Sequence, residues 1–137
     1  MKVILALLFN LMNVFYGYPL QGVCKYKFKR AKTRHHIQDL SQIHHIIPRQ
    51  FKKHPVIRGV DLEDGANLML MPNRVANEYN LLNTNRPVHD GGHLEYNKFV
   101  EDILDDMIIN PYSSQDDIFQ LISCLRQNIR HSNVPWC

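Results

Sequence analysis

Two adjacent histidines, His44 and His45, stand in an apolar stretch that ends at Pro48. Successive side chains of a β-strand point to opposite faces, so the two imidazoles diverge if this stretch is extended. One of them is then available to bind a metal ion while the other does something else. An imidazole suits either task, because its ordinary pKa of about 6.5 leaves it largely neutral, and able to accept a proton, at physiological pH.

Two further histidines, His89 and His93, are separated by Asp90-Gly91-Gly92. Apolar residues then recur at helical spacing from Leu94 to Met107. This pattern predicts that His93 lies near the start of a helix, with His89 within reach of it. The segment Gly65-Ala-Asn-Leu-Met-Leu-Met-Pro72 predicts a second apolar strand that contains Asn67. Alone, Asn67 is an ordinary turn or strand-edge residue, and it gains meaning from its place between the two histidine pairs.

The ordered set between Gln42 and Met107 resembles the HNH endonuclease superfamily, and within it the AHH-type nucleases. The motifs that carry the resemblance are HHIIP, an asparagine in an apolar strand after a long loop, and H-x-x-x-H-x-x-Y-N at a helix start. Ile43 stands where the AHH pattern has alanine, a difference that affects packing more than chemistry. The resemblance implies an α+β fold with a small ββα-metal (His-Me finger) core, to which this chain adds a C-terminal helix.

The resemblance also implies a role for each matching residue. It makes His44 a metal ligand and His45 the general base that takes a proton from the attacking water. It makes Asn67 the residue that holds the two strands and the loop of the base in register. His93 completes the metal site from the helix, and His89 is either another ligand or a phosphate contact.

The implied activity is endonuclease cleavage of a phosphodiester with one divalent ion, which stabilises the charge that develops on the phosphate and on the leaving oxygen. Mg, Mn, Zn and Ni all stay open. Histidine ligands suit Zn, Ni and other first-row ions better than they suit Mg, which prefers oxygen. Asn97, four residues after His93, is a possible auxiliary residue of the same site.

Basic residues indicate contacts with DNA, RNA or both, and nothing in the sequence chooses between them. Six cations lie between Lys25 and Arg34, where lysines alternate with Tyr26 and Phe28 in a pattern typical of an edge strand or a mobile arm. Such a segment either follows a nucleic-acid backbone or is a solvated basic face. The candidate nucleic-acid contacts are Lys27, Lys29, Arg30, Arg49, Lys52, Lys53 and Arg58.

Two other functions stay open at this point. One is a noncatalytic module that binds nucleic acid or an acidic partner and keeps the metal for stability, although a structural site usually recruits cysteine and four ligands. The other is a secreted toxin or effector that uses the same nuclease chemistry. A second histidine pair, His35-His36, has no apolar strand around it and is interpreted as surface.

The length of 137 residues, with 45% hydrophobic and 21% charged residues, indicates one globular domain. Met1-Lys2 and the apolar run from Val3 to Phe15 predict a secretory signal peptide, cleaved after Gly17 or Gly22. The run is too short for a membrane anchor, which needs about 20 apolar residues, so no membrane contact is expected of the mature, secreted form. The predicted segments are 1–22 signal peptide, 23–41 basic arm, 42–110 nuclease core, and 111–137 C-terminal helix and tail.

Three cysteines follow the predicted signal peptide, namely Cys24, Cys124 and Cys137. Export permits one intrachain disulfide, and which two cysteines pair stays open. The remaining pattern predicts an acidic turn over residues 61–65, a short helix from Arg74 to Arg86 through Val75, Tyr79 and Leu82, and a last helix from Ser114 to about Arg130.

Overall fold

The computed structural model describes residues 25–109 and 114–136. The predicted signal peptide, Cys24, Cys137 and the expected end of the metal-bearing helix at 110–111 lie outside these residues. The α-helices are α1 (Lys25–Arg34), α2 (Arg74–Glu78), α3 (Leu94–Ile108) and α4 (Gln115–Arg130). The strands are β1 (Ser41–His45) and β2 (Leu68–Pro72), and three short 3₁₀ helices lie between them: η1 (Arg49–Lys53), η2 (Pro55–Ile57) and η3 (Gly65–Asn67).

Strands β1 and β2 form a two-stranded antiparallel sheet, in which His44 is opposite Met69 and His45 is opposite Leu68. The sheet and α3 give the α+β arrangement that the sequence predicted, with α4 as the added C-terminal helix. Almost every residue of β2 is buried, which explains why its sequence is apolar without the alternation of a half-exposed strand.

Helices α3 and α4 bury apolar side chains that recur every three or four residues, and both pack on the core around the sheet. The core also contains Ile46 and Ile47, which directly follow the histidine pair and are fully buried. Met69, Met71 and Met107 are buried there too, and the flexible methionine side chain adapts well to irregular space in a core.

Helix α4 begins where the sequence predicted. The Ser114 side chain accepts a hydrogen bond from the Asp117 backbone N–H, and the Asp117 carboxylate accepts one from the Ser114 backbone N–H at 2.7 Å. This capping box satisfies two of the N–H groups that a helix start leaves unpaired.

The predictions for residues 25–34 and 74–86 are wrong. Residues 25–34 form helix α1 rather than an edge strand or mobile arm. The lysine–aromatic alternation covers only a few residues, whereas the segment as a whole is rich in lysine and arginine, which favour helices. The helix expected from Arg74 to Arg86 stops at Glu78, and Asn80 adopts a left-handed backbone with φ 49° that turns the chain away.

Within residues 25–109 and 114–136, the structure contains no helix that combines the length and the apolar character needed to cross a bilayer.

Candidate metal centre and catalytic histidine

Three histidines from two regions of the chain converge on one point. His44 comes from β1, His93 directly precedes α3, and His89 lies on the loop between α2 and α3. Each imidazole offers one ring nitrogen, and these three atoms lie within 4.8 Å of one another. Among the described residues no fourth histidine, cysteine or carboxylate joins the group. A site with three protein ligands leaves a position for water or substrate, as catalytic zinc sites do.

The three nitrogens have the properties of metal ligands. His44 Nε2, His89 Nδ1 and His93 Nε2 are buried, and none has a hydrogen-bond partner in the part of the chain that the structure describes. Buried polar atoms are almost always paired, and three orphaned nitrogens on clustered histidines could be satisfied by a bound cation. The donor set therefore fits a metal ion, and its all-nitrogen character favours first-row transition ions over Mg.

Burial keeps these imidazoles neutral. Desolvation, followed by the nearby His89, His93 and His45, lowers the pKa of His44 from 6.5 to about 2. Desolvation and then His89 lower the pKa of His93 to about 4, although Asp90 acts in the opposite direction. Desolvation also lowers the pKa of His89. Protons therefore do not compete with a metal ion for these nitrogens near neutral pH.

The loop from Arg86 to His93 is fixed against β2. The Arg86 guanidinium donates to the Leu70 carbonyl at 2.5 Å, and the His89 N–H donates to the Pro72 carbonyl at 2.7 Å. Gly91 then takes φ 86°, in the left-handed region that glycine adopts without strain. The chain can thus turn back within the four residues that separate His89 from His93. The His93 side chain does not cap α3, so its imidazole is available to the histidine cluster.

Aromatic rings form the wall of the cluster. The Trp136 ring lies 4.2 Å from the His93 ring and 5.1 Å from the His44 ring between centroids, and its indole N–H donates to the Val88 carbonyl at 2.7 Å. Tyr96, fully buried on α3, donates a hydrogen bond to the carbonyl of Ile46. Tyr96 thereby ties the helix that follows His93 to the residue after His45.

His45 points to the other side of β1, as the strand period predicted. Its Nε2 lies 2.9 Å from Oε1 of Glu63, a residue that the sequence placed in an acidic turn without a role. Burial, together with the nearby charges of Arg49 and Lys25, lowers the pKa of His45 although Glu63 acts to raise it, so the imidazole is neutral and able to accept a proton at pH 7.

Asn67 lies in η3, one residue before β2 rather than inside it. Its Oδ1 accepts a hydrogen bond from Ile47 N–H at 2.7 Å, and its Nδ2 donates to the carbonyls of Ile47 and Leu62, both at 3.0 Å. The fully buried amide thus joins the end of the His45 strand to the turn that carries Glu63. In the described part of the chain the Asn67 side chain makes no hydrogen bond to the three metal-ligand candidates, and its bonds to Ile47 and Leu62 hold the backbone instead. Asn97 is half-buried one helical turn after His93.

The predicted nucleic-acid contacts are all solvent-exposed, and they lie on several different elements of the fold. Arg49 Nε lies 2.5 Å from the same Glu63 oxygen that contacts His45, so it belongs to the site. Lys52 and Lys53 are on η1, and Arg58 directly follows η2. Lys27, Lys29 and Arg30 are on α1, whose first residue, Lys25, places its ammonium 3.3 Å from Glu63 Oε2.

Three residues at the site were not predicted there from the sequence, namely Glu63, Lys25 and Trp136. Three acids lie within residues 61–64, and their order gives no sign that Glu63 is the one that faces His45. Trp136 carried one signal, since it is the only tryptophan in the chain.

Comparison with known proteins assigns the family. The model of the AHH family, described as a nuclease family of the HNH/ENDO VII superfamily with conserved AHH, matches residues 26–127. No curated protein and no solved structure matches the chain significantly. The matched region covers well over half of the chain and contains both histidine pairs, Asn67 and most of α4. The chain therefore belongs to the AHH family of HNH/ENDO VII superfamily nucleases.

Proposed function

We propose that this nuclease is an endonuclease that hydrolyses phosphodiester bonds with one divalent metal ion, held by His44, His89 and His93. The observation that carries the proposal is the group of three buried, unpartnered ring nitrogens within 4.8 Å of one another. When bound, the ion stabilises the negative charge that builds on the phosphate and on the leaving oxygen. A purely structural ion is less well supported, because structural sites usually close with a fourth ligand.

In this proposal His45 is the general base. It is adjacent in sequence to the ligand His44, points to the opposite side of the strand, and has a neutral imidazole at pH 7. It takes a proton from the water that attacks phosphorus. The expected products are a 5′-phosphate and a 3′-hydroxyl. Asn67 holds the backbone that follows His45, so it acts on the geometry of the base and not on the substrate.

The substrate in this proposal is the backbone of DNA, RNA or both. Arg49 and the exposed cations of α1 and η1 neutralise phosphates on either side of the cleaved bond, and sequence-independent binding of this kind weakens as salt rises. The position of Lys25 and Arg49 at Glu63 supports this assignment, because it places the start of the basic helix α1 beside the proposed base.

The test is cleavage of supercoiled plasmid and of single-stranded RNA by the purified chain, with Mg²⁺, Mn²⁺, Zn²⁺ and Ni²⁺ compared against EDTA. His45→Ala is expected to lower the cleavage rate roughly 10²- to 10⁴-fold, the usual contribution of a general base, while metal binding is kept. His44→Ala is expected to lose both metal binding and cleavage. His35→Ala is the matched control, because His35 is exposed and belongs to the other histidine pair.

Cleavage that requires metal and disappears in His45→Ala supports the proposal. If the folded chain binds metal but cleaves neither substrate with any of the four ions, a noncatalytic binding module replaces the endonuclease as its function.

We also propose that residues 1–22 direct export, so that the nuclease acts outside the cell that makes it. The composition of this segment supports the proposal, with a basic start, an apolar run and small residues at the two candidate cleavage points. N-terminal sequencing of protein recovered from the medium of expressing cells should find Tyr18 or Val23 first. Retention inside the cells with Met1–Lys2 intact would contradict export.

A further inference from the structure

Glu63 is the meeting point of side chains from three parts of the fold. One carboxylate oxygen lies 2.9 Å from His45 Nε2 on β1 and 2.5 Å from Arg49 Nε on η1. The other lies 3.3 Å from the ammonium of Lys25 on α1. An acid used only for solubility would face water, whereas this one is about 39% exposed and directed at the histidine proposed as the base.

The backbone around Glu63 is held on both sides. The Glu63 N–H donates to the carboxylate of Asp61 at 2.9 Å, and the preceding carbonyl, that of Leu62, accepts from the Asn67 amide at 3.0 Å. The same amide binds both backbone groups of Ile47. One buried residue therefore fixes the turn of Glu63 relative to the strand of His45.

In the hydrogen bond between His45 and Glu63, the imidazole is the donor and the carboxylate is the acceptor. Hydrogen bonds from Arg49 first, and then from His45 and Lys25, lower the pKa of Glu63 to about 2, so its carboxylate is ionised and can only accept. The proton in the contact must then be on His45 Nε2. A neutral imidazole carries a single ring proton, which leaves the lone pair on Nδ1.

We propose that Glu63 is the positioning residue of the catalytic histidine, holding His45 in the Nε2–H tautomer so that Nδ1 faces the attacking water as the proton acceptor. This inference rests on the proposed role of His45 as general base. Arg49 and Lys25 form part of the arrangement, since their positive charges keep the Glu63 carboxylate ionised.

The proposed hydrolysis uses one water molecule. A water oxygen forms a bond to phosphorus while one water proton moves to His45 Nδ1. The bond from phosphorus to the 3′ oxygen breaks, and that oxygen takes a proton from solvent and leaves as a hydroxyl. His45 then carries two ring protons and a positive charge next to the Glu63 carboxylate, and it returns the extra proton to solvent. Glu63 gains no proton at any stage.

The experiment compares Glu63→Gln and Glu63→Asp with the wild-type chain and with Glu78→Gln, a control on an exposed glutamate of α2. Glutamine keeps the size of the side chain but presents either an acceptor or a donor to His45, so it no longer selects one tautomer. The readouts are kcat, KM and thermal stability, together with the tautomer of His45 from long-range ¹⁵N–¹H NMR correlations of histidine-labelled, metal-free protein. The spectra are recorded at about pH 8, where an ordinary imidazole is neutral, and the His45 signal is the one absent in His45→Ala.

We expect the wild-type spectrum to show His45 as the Nε2–H tautomer and the Glu63→Gln spectrum to show both tautomers. In Glu63→Gln, kcat should fall roughly 10- to 100-fold, the usual effect of losing a group that orients an active-site histidine, with KM changed less than about twofold. Glu63→Asp keeps the charge and should recover part of kcat. Glu78→Gln should match the wild type in every readout.

Two results would overturn the inference. One is a Glu63→Gln variant with wild-type kcat and an unchanged tautomer. The other is a variant whose loss lies in KM or thermal stability alone, which would make Glu63 a structural link between α1, η1 and β1. If the wild-type chain cleaves nothing, the proposed function fails together with this inference. If His45→Ala is inactive while Glu63→Gln is fully active, only this inference fails.

Discussion

Acidifying the metal-free protein should destabilise it well above the pH at which its carboxylates are protonated. In the unfolded chain His44 and His93 regain the ordinary histidine pKa of 6.5, whereas in the fold the values are about 2 and about 4. Below pH 6.5 the unfolded state therefore binds protons that the folded state cannot, and the free energy of unfolding falls as the pH falls.

The magnitude follows from the two shifts. Each buried histidine contributes about 1.4 kcal/mol per pH unit in the window between its unfolded and folded pKa. Between pH 6.5 and about pH 5 that amounts to roughly 2 kcal/mol for each and roughly 4 kcal/mol for both. Domains of this size are usually stable by about 5–15 kcal/mol, so the effect is large enough to measure and need not unfold the protein.

Urea unfolding between about pH 7 and about pH 5, with and without saturating Zn²⁺, measures this directly. Because the folded histidines stay neutral in this window, Zn²⁺ should raise the unfolding free energy by the same amount at each pH, which gives two parallel lines. His44→Leu should reduce the slope of the metal-free line by about 1.4 kcal/mol per pH unit. A flat metal-free line, with a Zn²⁺ increment that shrinks below pH 6.5, would mean that the folded histidines titrate normally, and the reasoning would be wrong.

Three further predictions concern residues around the site. Asn67→Ala leaves three buried backbone groups unpaired and should lower the unfolding free energy in urea by at least about 3 kcal/mol, whereas a loss under about 1 kcal/mol would mean that water replaces the amide. Arg126 is 3% exposed and donates to two backbone carbonyls of η3. Arg126→Met should therefore lower the free energy of unfolding by about 2–4 kcal/mol, and Arg126→Lys should have a melting temperature between those of Arg126→Met and the wild type. A wild-type melting temperature in Arg126→Met would refute that role. Adding Ni²⁺ should quench the emission of Trp136, the only tryptophan, and His93→Ala should abolish the quenching; equal quenching in both proteins would place the ion elsewhere.

The sequence predicted the parts of the site that depend on local periodicity. The two-residue period of a strand separates His44 from His45, and the 3.6-residue period after Leu94 places His93 at a helix start. Helix α4 followed from the same periodicity together with a serine cap at Ser114. In each case the residues that decide the outcome are close together in the chain.

The parts that could not be predicted depend on the path of the chain in space. Of the acids in the turn at 61–64, Glu63 faces His45 because Asn67 fixes the carbonyl of Leu62, a consequence of tertiary structure. Trp136 reaches the histidine cluster from beyond the end of α4, and no local pattern specifies that return. The wrong prediction of a strand at α1 had a local cause. A short alternation of lysine and aromatic residues has the two-residue period of a strand, but it lies in a segment whose overall composition favours a helix.

The placement of two proposed tasks, metal binding and proton transfer, on consecutive residues of β1 has a consequence for mutation and design. A shift of β1 by one residue against β2 would place either His45 in the position of His44 or His44 in the position of His45, and in each case an isoleucine would take the other position. The site would thus keep a histidine at only one of the two positions, and Ile46 and Ile47 would lose their places in the core. A single-residue insertion before Ser41 should therefore be tolerated far better than one between His45 and Pro48, because only the latter separates the chemistry from the packing that aligns it.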